Sequence, residues 1–262
     1  QAAKTRTTVA KADRLGIGAI LTGVDAAKVR GFADSLVSGL HRGLTGLIRS
    51  RGIRVVPGHG RLMVDAEGPA LDVDGELLRA HNVVLATGSA PVTLGLPTDG
   101  ERILTSEHAL RLEQLPGRAV ILGGGVIGVE FASLWRDLGV DVVLVEARPH
   151  LLPNEDPDLV AVLERRLRAR GIDLRLGAKA EGIVRDGDQV RLELPDGTVT
   201  ADVALIAVGR RPVTGGLGLE EAGVALTSTG HVSATRELAT TAAGVFAVGD
   251  LIAGPQLAHR GY

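Results

Sequence analysis

The sequence has 262 residues, of which 45% are hydrophobic, and its formal net charge at pH 7 is −2. This length and apolar content are enough for one large core or two ordinary ones, and the near-neutral charge provides no field that would attract nucleic acid or an anionic membrane. The longest apolar run, around residues 119–129, ends at Glu130, well short of the ~20 residues that span a bilayer. We therefore expect neither a nucleic-acid partner nor a membrane partner.

The N-terminal stretch "QAAKTRTTVAKADRLGI" has no initiator Met and no signal-peptide apolar region. This favours a chain that starts within a longer protein, and a cytoplasmic location. The sequence contains no cysteine, so this chain alone can form no disulfide, thiolate metal site or thiol nucleophile. Its seven histidines are scattered without the spacing of metal ligands, and no metal site is predicted.

The first third of the chain predicts one helix and several strands. Asp25 can cap a helix over residues 26–50, where apolar residues recur at three- and four-residue steps and form one face that must pack on something. These residues are Val29, Phe32, Leu36, Leu40, Leu44 and Leu47. The stretch "IRVVPG" (53–58) predicts a strand, Asp74-Gly75 predicts a hairpin turn, and residues 83–86 predict a buried strand.

The strongest chemical signal is a strand-helix-strand unit over residues 119–147. The six residues Gly123, Gly124, Gly125, Val126, Ile127 and Gly128 fit the pattern G-x-G-x-x-G between an apolar strand and a helix. In such a unit the first glycine allows the tight turn, the second lets the backbone approach a pyrophosphate, and the third lets helix and strand pack closely. A glycine-rich turn that binds nothing, or another phosphate, is the alternative interpretation.

Glu146 stands at the end of the following strand. A carboxylate at this position accepts hydrogen bonds from the adenosine ribose diol of NAD and repels the 2′-phosphate of NADP. The sequence therefore favours NAD.

The remaining elements continue an α/β pattern. Asp156, followed by Pro157, predicts the start of a helix that ends near Gly171. Asp196-Gly197 predicts a second hairpin, and "VALIAVG" a buried strand. The apolar strands in "VVLATGSAP", "LIAVGRRP" and "VFAVGD" all run into glycine turns. Ligands gather at the carboxyl ends of strands in open α/β sheets, so these three further ends indicate more cofactor than one nicotinamide nucleotide.

Four stretches in this order and spacing resemble the flavin-dependent pyridine nucleotide-disulfide oxidoreductases. They are "ATGSAP" (86–91), "GGGVIGVEFASLWRDLGVDVVLVEA" (123–147), "AVGRRP" (207–212) and "FAVGDLIAGPQLAHRG" (246–261). Within that family, "GPQLAH" and "PHLLPNEDPDL" are most similar to the dihydrolipoyl dehydrogenases. The resemblance covers essentially the whole chain.

The resemblance implies a fold, two cofactors and a reaction. The fold is α/β, with two interleaved Rossmann-like, three-layer dinucleotide-binding domains of the FAD/NAD(P)-binding type. An incomplete FAD domain takes residues 1–112 and 235–262, and an NAD domain takes residues 113–234. The cofactors are FAD and NAD. The enzyme would oxidise dihydrolipoamide, carried on the acyl carrier of a 2-oxo acid dehydrogenase complex, through a disulfide and FAD, with hydride transfer to NAD. The full-length protein would be a homodimer.

The resemblance also assigns cofactor-binding residues. Thr87, Gly88 and Ser89 would lie along the FAD, and the backbone of Gly60 by its adenine. Asp250 would accept hydrogen bonds from the ribityl hydroxyls of the flavin. The backbone of a third set would point at the flavin ring, namely Gln256, Leu257, Ala258 and His259. The set for NAD is Gly123, Gly124, Gly125, Val126, Ile127, Gly128, Val129, Glu130, Glu146, Ala180 and Gly209.

The sequence departs from the family pattern in four features. The family's own FAD-binding G-x-G-x-x-G, its C-x4-C redox pair, its following lysine and its interface domain with a His-Glu pair have no counterpart here. We therefore expect an internal excerpt that contains no catalytic residue and is inactive alone. Two alternatives stay open: another disulfide or quinone reductase of the same fold, and a catalytically silent nucleotide-binding fragment.

Overall fold

The computed structural model describes residues 1–258. Five α-helices lie in this part of the chain: α1 (Ala2–Ala10), α2 (Ala26–Ser50), α3 (Ser106–Ala109), α4 (Val126–Leu138) and α5 (Pro157–Ala169). Two short 3-10 helices add residues Ala12–Leu15 and Gly249–Leu251. The strands up to residue 122 are β1 (Gly60–Asp65), β2 (Gly68–Val73), β3 (Glu76–Arg79), β4 (Val83–Leu85), β5 (Ser89–Pro91), β6 (Ile103–Leu104) and β7 (Arg118–Leu122). The later strands are β8 (Asp141–Glu146), β9 (Asp173–Leu176), β10 (Gly182–Asp186), β11 (Gln189–Leu194), β12 (Gly197–Ala201), β13 (Val203–Ile206), β14 (Arg210–Pro212) and β15 (Val245–Ala247).

The chain divides into two compact units. Unit 1 comprises Gln1–Gly43 and Pro91–Gly209, and unit 2 comprises Leu44–Ala90 and the chain from Arg210 onward. Helix α1 belongs to unit 1 because it packs on α4, where Arg6 donates a hydrogen bond to the carbonyl of Asp137 (3.0 Å). The units therefore divide the chain at other positions than the predicted domain boundaries, and the assignment of an FAD domain and an NAD domain stays a prediction.

Unit 1 is built on a parallel five-stranded sheet in the order β6-β13-β7-β8-β9. Successive side chains of a strand point to opposite faces, so Ala119 and Ile121 of β7 pack on one side and Val120 and Leu122 on the other. The first side is covered by α4 and α5, and includes Trp135, which is 2% exposed. The second side is covered by the antiparallel sheet β10-β11-β12. The predicted α/β, three-layer fold is confirmed.

The strand-helix-strand unit and the helix after it form where the sequence predicted them. β7 and β8 pair in parallel on either side of α4 in the chain. Asp156 caps α5 by accepting a hydrogen bond from the backbone N–H of Asp158 (2.9 Å). Pro157 occupies the first turn, where its missing N–H has no intrahelical partner to lose.

The described part of unit 2 contains three smaller sheets. β1, β2 and β3 form an antiparallel sheet, and the predicted turn Asp74-Gly75 joins β2 to β3 with positive φ at both residues (51° and 94°). β4 pairs in parallel with β15, and β5 pairs with β14. Val83 and Leu85 of β4 are buried, whereas Val84 between them is 58% exposed.

Two sequence expectations about residues 26–58 differ from the structure. The predicted helix forms over the predicted range, but none of its residues is buried and Leu40 is 76% exposed. The predicted strand over residues 53–58 is wrong, because this stretch has no partner strand among the described residues and Val55 is 68% exposed. Periodicity and β propensity report what a segment can form, whereas packing depends on what lies beside it.

Candidate functional site

The glycine turn between β7 and α4 is packed against its own backbone. Gly123 has φ of +110°, and a Cβ atom there would lie 2.3 Å from the carbonyl oxygen of Ala207. A Cβ atom on Gly128 would lie 1.9 Å from the carbonyl oxygen of Gly123. No side chain fits at either place, so both glycines are needed for the turn and for the close approach of helix and strand.

Gly124 is held from both sides. Its N–H donates to Oε2 of Glu146 (2.6 Å), and its carbonyl accepts from the N–H of Leu152 (2.9 Å). The other carboxylate oxygen of Glu146 accepts from the N–H of Arg148 (2.8 Å). Each oxygen has a second lone pair, so the carboxylate is fixed in place and can still accept from a ribose diol.

Gly125 is open on the side where a ligand would approach. A Cβ atom there would meet no heavy atom within 4 Å. Gly125 is also the N-cap of α4, which has no side-chain cap and no acidic residue in its first turn. The first N–H groups of the helix and its positive dipole end are therefore available to an anion. These features fit a pyrophosphate on the turn.

The other residues predicted for NAD lie in the same unit. Ile127 and Val129 pack partly into the core on the α4 side, and Ala180 packs on the opposite side of the sheet. Glu130 is exposed. Gly209 follows β13, the parallel neighbour of β7, with φ of +130° and open space at its Cβ position.

The residues predicted for FAD lie in unit 2, mostly at the carboxyl ends of β4 and β15. The two strands run parallel, so the residues that follow them, 87–89 and 249–250, meet at one edge. The hydroxyl of Ser89 donates to Oδ2 of Asp250 (2.7 Å). Gly88 has φ of +68°, and the hydroxyl of Thr87 donates to the carbonyl of Val213 (2.7 Å).

Arg210 also lies at this edge and was not predicted from the sequence. Its Nε donates to Oγ of Ser89 (2.7 Å), and its Nη2 donates to the carbonyl oxygen of Ser89 (2.6 Å). The available signal was the arginine pair in "AVGRRP", directly after a buried strand and a glycine, from which only Gly209 was selected.

The other described residues predicted to bind FAD lie outside the edge formed by β4 and β15. Gly60 starts β1 opposite Val73. Gln256 is partly buried, whereas Leu257 and Ala258 are exposed. His259 lies outside the described residues.

Two cavities in the described chain have linings that contain none of the predicted cofactor-binding residues. One, of about 370 Å³, is lined by residues of unit 1 that include Arg6 and Leu138. The other, of about 430 Å³, is lined by residues of unit 2 that include Thr227 and Arg236. A phosphate site on a glycine turn is formed by backbone donors and needs no deep cavity.

Residues 1–258 contain neither a metal-ligand cluster nor a helix that could span a membrane. No group of three or more His, Cys, Asp or Glu side chains there is arranged to hold a metal ion. In the same residues, no helix combines the length and hydropathy of a bilayer-spanning segment.

Comparison with known proteins identifies the family. The family model described as pyridine nucleotide-disulphide oxidoreductase matches residues 3–262. The chain belongs to this family. Its fold is the FAD/NAD(P)-binding fold of that family, and the family's cofactors are FAD and NAD(H).

Individual relatives agree with this assignment. Dihydrolipoyl dehydrogenase of Thermus scotoductus is 37% identical over 246 residues, which are 90% of this chain and 52% of the relative. The crystal structure of LpdA from Mycobacterium tuberculosis matches with a TM-score of 0.89 and 31% identity, over 99% of this chain and 58% of that one. The flavoprotein disulfide reductase RclA from Escherichia coli matches with a TM-score of 0.82 and 30% identity, over 100% of this chain and 58% of that one. The chain spans about half the length of the curated relatives it matches.

Proposed function

We propose that unit 1 binds NAD(H), that unit 2 supplies part of an FAD site, and that the two serve a flavoprotein oxidoreductase of the dihydrolipoyl dehydrogenase type. The observation behind this proposal is the separation of the two predicted residue sets. The NAD set lies in unit 1 and the described FAD set in unit 2, and the central residues of each set follow parallel strands. Bound FAD and NAD supply the redox chemistry, and the protein binds and orients them.

In unit 1, different groups of the chain would hold the pyrophosphate and the adenosine ribose of NAD. The N–H groups at the start of α4 would donate to the pyrophosphate beside Gly125. The carboxylate of Glu146 would accept from the ribose hydroxyls and would repel a 2′-phosphate, which favours NAD over NADP. In unit 2, Asp250 would accept from the ribityl hydroxyls of the flavin.

The relatives support a proposal for the substrate and the partners. Several relatives are dihydrolipoyl dehydrogenases, so we propose dihydrolipoamide, carried by a 2-oxo acid dehydrogenase complex, as the electron donor. We further propose a cytoplasmic homodimer as the full-length form. Since the sequence contains no cysteine, thiol exchange with the substrate needs cysteines that this chain does not supply.

A disulfide reductase with another substrate is the second candidate. It is favoured by the likeness to RclA, which covers the whole chain at an identity close to that of LpdA. The two candidates share both cofactor sites and differ in the thiol or disulfide substrate.

Cofactor titration of the purified 262-residue chain tests the proposal. We expect NADH to bind and to bind more tightly than NADPH, and we expect added FAD to bind with quenching of its fluorescence. Absence of NADH binding by the folded chain would contradict the role of unit 1. Binding of NADH without any binding of FAD would instead support the silent nucleotide-binding fragment. The NADH titration is repeated with Glu146→Gln. Its control is Glu193→Gln, which alters an exposed carboxylate of β11.

A further inference from the structure

The contact between Ser89 and Asp250 joins residues 161 positions apart. Each residue follows one of two parallel neighbouring strands, so the backbone delivers both side chains to the same edge. Arg210 approaches from β14, which pairs with β5, the strand that Ser89 begins. All three side chains lie in unit 2 and are half-buried. Water competes less for hydrogen bonds at such a place than at a fully exposed one.

The polarity of this network is fixed by chemistry. A serine hydroxyl has one hydrogen to donate, and a carboxylate can only accept. The Nε of Arg210 donates to the hydroxyl oxygen of Ser89, so the hydroxyl hydrogen is directed to Asp250. The second bond of Arg210, to the carbonyl of Ser89, fixes the backbone that carries this hydroxyl. The guanidinium thus determines where the hydroxyl lies, and the hydroxyl determines how the carboxylate is turned.

The arrangement leaves Asp250 able to bind something else. Within residues 1–258, no donor contacts its Oδ1, and no ion pair joins its carboxylate to Arg210. A direct two-pronged contact with arginine would occupy both carboxylate oxygens. With a hydroxyl between the two charges, only Oδ2 is used, and Oδ1 stays available as an acceptor for a hydroxyl group.

We infer that Arg210 is a positioning residue, which acts through Ser89 to hold the Asp250 carboxylate for a polyhydroxyl chain such as the ribityl chain of FAD. The identity of the ligand rests on the proposed function, whereas the positioning of the carboxylate does not. Among the described residues, the Arg210 side chain donates its hydrogen bonds to Ser89 and none to Asp250. Arg211, the next residue of β14, is exposed, and its side chain has no hydrogen bond or ion pair within the described residues, so it provides a matched control.

The first experiment needs no flavin. The full chain is labelled with carbon-13 at the aspartate carboxyl groups, and the signal of Asp250 is identified by its loss in Asp250→Asn. We expect Arg210→Gln and Ser89→Ala to move this signal, Ser89→Thr to leave it near its original position because the hydroxyl is kept, and Arg211→Gln to leave it unchanged. An unmoved signal in Arg210→Gln would overturn the positioning role.

The second experiment measures FAD affinity by quenching of flavin fluorescence. We expect Arg210→Gln and Ser89→Ala each to weaken binding about ten-fold, the effect of losing roughly one hydrogen bond to a charged group. Arg210→Gln added to Asp250→Asn should weaken binding no further, because both changes remove the same contact. A merely structural role of Arg210 would instead multiply the two losses, and that result would refute the inference.

The two experiments separate the inference from the proposed function. If the carboxyl signal moves as expected but the wild-type chain binds no FAD, the positioning role stands and the FAD role fails. If FAD binds but the signal does not move in Arg210→Gln, the FAD role stands and the positioning role fails. Thermal unfolding of each flavin-free variant confirms that the compared proteins are folded.

Discussion

Replacement of Gly125 by alanine should separate ligand binding from stability. The residue has φ −73° and ψ −176°, which alanine adopts readily, and a Cβ atom would meet nothing within 4 Å. Alanine stabilises a compatible site by up to about 1 kcal/mol by restricting the unfolded chain, and this gain is offset by its poorer performance as an N-cap. We therefore expect the free energy of unfolding to change by less than about 1 kcal/mol.

The expected loss lies in NADH affinity. The added methyl group would stand where a phosphate oxygen must approach the N–H groups of the turn. The loss of one hydrogen bond to a charged group costs about 1.5–3 kcal/mol, which is a weakening of about 10- to 150-fold. Isothermal titration of NADH, with thermal unfolding of the same samples, measures both quantities.

Two glycines provide the comparison. Gly128→Ala should instead lower the stability of the fold. Its Cβ would lie 1.9 Å from a backbone oxygen, and no side-chain rotation can relieve this clash. Overpacking of this kind costs about 1–3 kcal/mol or more, and we expect a fall in Tm of about 2–4 °C for each kcal/mol. Gly215 lies in an exposed part of unit 2 with open space at its Cβ position, so Gly215→Ala should change neither the NADH affinity nor the Tm appreciably. The placement of the pyrophosphate would be refuted if Gly125→Ala folded and its NADH affinity stayed within about two- or three-fold of the wild-type value.

Three further predictions use other parts of the chain. Glu146→Gln should weaken NADH binding about ten-fold, the effect of losing a charged acceptor, and bring the NADH and NADPH affinities closer together; an unchanged affinity ratio in parallel titrations would contradict the role of its charge. Hydrogen bonds, chiefly from the Arg79 side chain and also from the backbone N–H of Glu67, lower the pKa of Asp65 to about 2. The stabilisation from this lowered pKa is present above about pH 4 and is lost as the pH falls towards 2, so Arg79→Gln should flatten the pH dependence of Tm in that window. If Tm depended on pH equally in the wild type and in Arg79→Gln, the stabilising contact between Arg79 and Asp65 would be contradicted. Asp156→Ala should cost α5 about 1 kcal/mol as a lost N-cap, and Asp158→Ala, measured by the same thermal unfolding, should cost less.

The parts of the molecule that sequence predicted well are local ones. The turn at Gly123 and the close contact at Gly128 belong to one strand-helix-strand unit, whereas the role of Glu146 towards NAD stays a prediction. Each requirement there is steric or electrostatic and acts between residues that the chain itself brings together within a few turns. The cap of α5 by Asp156 has the same origin. Such features can be recognised from residue type and spacing alone.

The parts that sequence did not predict depend on distant neighbours. Arg210 and Ser89 are 121 positions apart, and no spacing rule connects them. The strand expected over residues 53–58 has suitable side chains but lacks a partner strand in the described structure. The apolar stripe of α2 predicted the helix correctly, yet it could not predict that residues such as Leu40 would be exposed. A pattern defines an element, whereas contacts between elements define its burial.

The interrupted chain path of unit 2 has a consequence for the order of folding. Its core takes Val83 and Leu85 from one stretch and Val245 and Ala247 from another, with all of residues 91–209 between them. During synthesis, β4 emerges long before β15 and must wait for its only described sheet partner. Residues 91–209 can form their parallel sheet in that interval, and folding them first shortens the loop that must be closed to bring β4 and β15 together. Mutations that slow folding of the inserted segment should therefore delay assembly of the Asp250 edge, although they lie far from it in sequence.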